Sequence, residues 1–73
     1  MDFDQRACIQ FGKTVRALRM RRRLSQESLA NKANIDRSYM GGIERGERNP
    51  SLSVIWRLAR ALRVTPTELL DRC

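Results

Sequence analysis

The chain of 73 residues contains no histidine and only two cysteines, Cys8 and Cys73. Without an imidazole, the commonest metal ligand and the commonest general base at neutral pH are both missing. The cysteines lie far apart and offer no metal-ligand spacing. A structural disulfide between them is not expected in a reducing cytoplasm. Cys8 should instead pack in a first helix, with the terminal Cys73 mobile. Nor is there a cysteine beside a base, a glycine loop to cradle phosphate, or a carboxylate pair with a pocket to hold it. Enzymatic activity, a metal and a cofactor are therefore all expected to be absent.

Aromatic residues make up 5% of the chain, and sustained alternation and Asn-Gly or Asp-Gly hairpin turns are missing. Strands are thus disfavoured, and an all-α bundle is the expected class. No apolar run approaches the ~20 residues that span a bilayer, and no signal peptide is evident. We expect a soluble, cytoplasmic protein without a membrane partner. No internal repeat or low-complexity segment appears, and the length suits a single domain near the lower limit for a stable core.

Acidic residues are scarce as well: eight Asp and Glu face fifteen Lys and Arg, a formal charge of +7. Such an excess fits a polyanionic partner, nucleic acid before membrane, since no helix pairs a basic face with exposed bulky apolar residues. Thirteen of the fifteen cations are arginine, which favours bidentate recognition of phosphate and guanine. Charge alone is equally consistent with a well-solvated small domain.

What the chain does have is five helical segments. The first should run from about Asp4 to Arg22, capped by Asp2 or Asp4, with Phe3 stapled back onto Cys8. Cys8, Phe11, Val15 and Leu18 make its apolar stripe. Gly12 weakens that helix, which points to a close helix contact there. Arg21, Arg22 and Arg23 close it: Arg21 suits the helix C-terminus, while the other two could equally serve phosphate.

Residues 25–46 read as two short helices around a tight turn. Ser25 caps the first, with Leu29, Ala30 and Ala33 on its inner face. Asn34 tolerates the left-handed backbone of the turn. Asp36 caps the second, with Met40 and Ile43 facing inward and Arg37, Ser38 and Gly41 facing outward. In such a helix-turn-helix, the N-terminal residues of the second helix reach base edges in the major groove. After Gly46, Pro50 holds the chain extended at Asn49 and Ser51 caps a fourth helix, about Leu52 to Leu62. There Leu52, Ile55, Leu58, Ala59 and Leu62 are the expected core, and Val54 and Trp56 extend the apolar arc beyond it. Thr65-Pro66-Thr67-Glu68 is a capping box that starts a fifth helix, followed by Leu69 and Leu70.

The blocks FGKTVRALR, LSQESLA, IDRSYMGGIERGERNPSL and IWRLARALRVTPTELL, in that order from Phe11 to Leu70, resemble the Cro and repressor-like (XRE) helix-turn-helix regulators. Within that family, IDRSYMGGIERGERNPS is most similar to the controller proteins of restriction–modification systems. The resemblance implies a five-helix repressor-like bundle with residues 1–10 as an N-terminal extension of the first helix. It also implies a sequence-specific double-stranded DNA-binding transcriptional regulator, acting as a homodimer on a palindromic operator. RNA polymerase would be a further partner if the protein activates; no small-molecule ligand is implied. Two alternatives are a phage-type repressor and an antitoxin-like interaction module in which DNA binding is secondary.

On this reading Arg37, Ser38 and Tyr39 are the candidates to read bases, Arg37 through guanine O6 and N7. Ser25 and Gln26, at a helix N-terminus, and Arg45, Arg48 and Asn49, in and before the loop, are the candidates for phosphate. The resemblance assigns DNA holding to Arg48, and pairs Arg19 with Glu44 beneath the recognition helix as a structural ion pair. Residues 51–73, with Trp56, Val64, Leu69 and Leu70, are the candidate dimer interface, so that Leu69→Asp should leave a folded monomer. Two departures from the family stand out: Arg23 replaces a common turn glycine, and Gly41 replaces a common serine. The Gly41-Gly42 pair either brings this face close to DNA or packs against the first or fourth helix.

Overall fold

The computed structural model describes residues 4–70, which form five helices: α1 Gln5–Arg21, α2 Gln26–Ala33, α3 Arg37–Glu44, α4 Leu52–Leu62 and α5 Pro66–Leu70. Expectations that involve Asp2 and Phe3 at the start of α1, and Cys73 at the chain end, lie outside the described residues. Among those described there is no strand, and no helix is long and apolar enough to cross a membrane.

Each helix begins where a side chain satisfies its orphan N–H groups. Asp4 accepts from the Ala7 N–H at 3.3 Å, Ser25 Oγ from Ser28 at 3.0 Å, and Ser51 Oγ from Val54 at 3.2 Å. At α5 the box is reciprocal: the Glu68 N–H donates to Thr65 Oγ1 at 3.1 Å while Glu68 Oε1 accepts from the Thr65 N–H at 2.9 Å. These bonds to Thr65 hold the Glu68 carboxyl below its ordinary value. Helix ends use left-handed residues: Asn34 at φ 57° after α2, Arg63 at φ 61° after α4, and Arg23 at φ 58° shortly after α1. Arg23 thus takes a conformation that disfavours any side chain carrying a Cβ.

α1 lies on α3, α2 packs on α3 and α4, and α5 closes against α4 and α1. Phe11, Val15, Leu29, Met40, Ile43, Leu58 and Leu62 fill the space between them. The crossing of α1 and α3 is close because of Gly12. A Cβ there would lie 2.3 Å from the carbonyl oxygen of Ile43 and 2.8 Å from that of Glu44.

Three apolar residues sit differently from expectation. Val54 is buried and Leu52 is 70% exposed. The inner face of α4 is the Val54–Leu58–Leu62 line at i, i+4, i+8, and Leu52 falls about 120° away from it, near Trp56. Leu69 is completely buried as part of the core, because the short α5 has to close the bundle with some side chain and Leu69 points inward. It is therefore not an exposed interface residue, and Leu69→Asp would strand a carboxylate in the core instead of yielding a folded monomer.

Candidate nucleic-acid interface

α3 is held from below. Arg19 Nε donates to Glu44 Oε2 at 2.6 Å and Nη2 to Oε1 at 3.0 Å, while Nη1 reaches the Leu24 carbonyl at 2.9 Å. The side chains are 13% and 3% exposed, so the pair is nearly removed from water. The bond to Glu44 raises the Arg19 pKa above its usual value, against a smaller opposing effect of burial. Gln26 joins the pair, its Nε2 donating to Glu44 Oε1 at 3.0 Å. One carboxylate thereby ties together α1, the start of α2 and the end of α3.

Asp36 organises the opposite end of α3. It accepts from the Ser38 N–H at 3.1 Å and also from the Ser38 hydroxyl. These bonds keep the Asp36 carboxyl ionised below its ordinary pKa. Arg37 and Ser38 stand exposed on the first turn, and Tyr39 is half-buried.

Two loop arginines lie back on the same helix. Arg48 places Cζ 5.7 Å from the centroid of the Tyr39 ring, within cation–π range. Its aliphatic stem runs over Gly42, where a Cβ would meet Arg48 Cγ at 2.9 Å. Arg45 covers Gly41 with its guanidinium instead of its stem, Nη1 lying 3.1 Å from where a Cβ would stand. Gly41 is therefore buried, not outward-facing as the helical pattern suggested. The glycine pair packs against neither α1 nor α4 at these contacts; long side chains from the following segment occupy the space. Arg45 Nε also lies 3.1 Å from Glu47 Oε1, an ion pair with both partners more than half exposed, which contributes little.

The predicted site residues divide accordingly. Arg37, Ser38, Tyr39, Arg45 and Arg48 belong to α3 or contact it directly. Gln26 adjoins them through Gly41, its Oε1 lying 3.7 Å from the same hypothetical Cβ. Exposed Ser25 caps α2. Asn49 is set apart from the contacts of Arg48: it lines an apolar groove of about 330 Å3 with Cys8, Phe11, Pro50, Ile55 and Leu70. The thiol of Cys8 is raised by burial and, to a smaller extent, by Asp4.

Other cations are committed to the fold. Arg22 Nε donates to the Leu62 carbonyl at 2.9 Å, and Arg57 Nη1 to the Asn34 carbonyl at 3.0 Å. Sequence reasoning left Arg22 open and did not single out Arg57. Both satisfy carbonyls at helix ends. Leu52, Trp56 and Leu70 are 70%, 57% and 45% exposed, respectively. Val64 is partly buried against the core.

The HTH_3 (Helix-turn-helix) family model matches residues 15–69. The chain is 45% identical over 62 residues to Control protein C.BamHI of Bacillus amyloliquefaciens, covering 84% of this chain and 76% of that protein. It is 49% identical over 51 residues to the immunity repressor protein of Bacillus phage phi105, covering 70% of this chain and 35% of the longer relative. The crystal structure of the restriction-modification controller protein C.AhdI from Aeromonas hydrophila superposes with a TM-score of 0.84. It shares 52% identity, with 85% of this chain and 94% of that one covered.

Proposed function

The chain belongs to the XRE-type helix-turn-helix family HTH_3, and from that premise we propose that it is a transcriptional regulator that binds double-stranded DNA sequence-specifically, as a homodimer on a palindromic operator. The observation that carries this reading is α3 itself. Its first turn offers Arg37 and Ser38 to solvent, and its flank is covered by Arg45 and Arg48 from the loop. A helix so furnished presents side chains for base edges at its start and cations for phosphate along its side.

Roles follow from chemistry. The exposed Arg37 offers a fork that matches guanine O6 and N7. The Ser38 hydroxyl already donates to Asp36, so what it offers a base is its lone pairs, which suit the amino group of cytosine or adenine. Arg45 and Arg48 serve phosphate. The N–H groups at the start of α2, with Ser25 and Gln26, suit another phosphate. The exposed Leu52, Trp56 and Leu70 provide apolar area for the second copy, and the similarity to controller proteins of restriction–modification systems supports that kind of regulatory role. A phage-type repressor is the second reading, favoured by the similarity to the phi105 repressor.

Selection from a random duplex pool tests the proposal. Enrichment of an inverted repeat with half-site centres about one helical turn, ~34 Å, apart is the expected result. Retention that disappears with a polyanion competitor, with no sequence enriched, would favour an interaction module over a sequence reader.

A further inference from the structure

Gly42 occupies the interior of α3, where glycine weakens a helix relative to alanine. Its backbone does not require glycine: among the described glycines only Gly46 has a positive φ. Nor does a neighbouring backbone exclude a side chain, as happens at Gly12. The nearest atoms to a Cβ at position 42 all belong to one loop residue: Arg48 Cγ at 2.9 Å, Nε at 3.2 Å and Cδ at 3.6 Å. That same side chain ends with its guanidinium over the Tyr39 ring, one helical turn back along α3.

We propose that Gly42 is a positioning residue for DNA binding: its missing side chain is the seat on which Arg48 lies. The seat fixes the guanidinium on the surface of the recognition helix beside Tyr39. The inference rests on the DNA-binding reading of α3 and adds to it a residue that touches no DNA. An arginine in a loop would otherwise lose the freedom of a long stem on meeting a phosphate. Laid across Gly42 and against Tyr39, it has given up much of that freedom already. Gly41 differs, because the closest atom to a Cβ there is the Nη1 tip of Arg45, at 3.1 Å, which can swing aside. At Gly42 the clash is with the stem, at 2.9 Å from Cγ, so the stem itself must shift and carry the guanidinium with it.

The consequence is a substitution that acts oppositely on fold and function. Gly42→Ala removes a helix-weakening residue and disturbs only a surface side chain. Its Tm without DNA should be unchanged or raised by up to about 8 °C. Its affinity for a duplex enriched from the random pool by the wild-type protein should fall at least about threefold, and by less than about twofold when Arg48→Ala is already present. Thermal unfolding, and binding titrations of the two single variants and the double variant, supply both readouts. A lowered Tm would make Gly42 an ordinary packing glycine and overturn the inference. So would wild-type affinity in Gly42→Ala, no loss of affinity in Arg48→Ala, or equal losses in both backgrounds. If the wild-type protein enriches no duplex at all, the DNA-binding reading fails first and the seat has no purpose.

Discussion

Arg19 grips Glu44 through two parallel N–H···O bonds, at 2.6 and 3.0 Å, and thereby fastens the last residue of α3 to α1. Removing either partner leaves the other with few substitutes. In Arg19→Ala the Glu44 carboxylate, 3% exposed, keeps only Gln26. In Glu44→Ala the guanidinium keeps the Leu24 carbonyl. A stranded buried charge costs about 3–5 kcal/mol, so each variant should lose more than about 10 °C of Tm, with Arg19→Ala the worse affected. Thermal unfolding checks this; a wild-type Tm in either variant would mean that the pair does not hold α3.

Acid should unfold the helix starts. Asp36 and Glu68 have folded pKa values below their ordinary 3.8 and 4.5. The stability they confer is present above those ordinary values and is lost as pH falls through the lower folded ones. Asp36→Asn, which keeps a capping oxygen, and Glu68→Gln should each flatten the fall in Tm between about pH 5 and pH 2. An unchanged slope in both would show that these caps do not control the acid response.

Association should depend on exposed apolar residues, not on Leu69. Trp56→Asp or Leu52→Asp should shift sedimentation towards monomer while helical circular dichroism is kept. Leu69→Asp should abolish the fold, as its side chain is completely buried. A folded monomer from Leu69→Asp would contradict this assignment.

Most of the fold was legible because its signals are local. Ser25, Asp36, Ser51 and the Thr65–Glu68 box each act within three residues of themselves, and Asn34 marks its own turn. α4 matched its expected ends, although no glycine marks the stop at Arg63. The less legible features depend on chain separations that periodicity does not encode. Arg22 reaches carbonyls forty residues away, and Arg57 reaches Asn34 across the bundle. Leu69 looks like surplus apolar surface until α5 is seen to close the core. On the candidate site, the pattern placed Arg37 and Ser38 on the exposed turn of α3. It turned Gly41 outward and left open what the Gly41-Gly42 pair meets, because their coverings arrive from Arg45 and Arg48 after the helix has ended.

The most direct test of α3 as the reading element contrasts Arg37 with Arg48 across a salt series, on the selected duplex and its scrambled counterpart. Loss of a base contact removes discrimination, whereas loss of a phosphate contact weakens all duplexes alike. Arg37→Ala should cost ~1–3 kcal/mol per half-site on the selected duplex and relax preference at one base pair. Arg48→Ala should weaken both duplexes by similar factors and make the salt dependence shallower by ~0.9 per lost contact. Uniform weakening by Arg37→Ala with lost specificity in Arg48→Ala would reverse the two roles, and wild-type binding by both variants would contradict the assignment of α3 as the element that reads DNA.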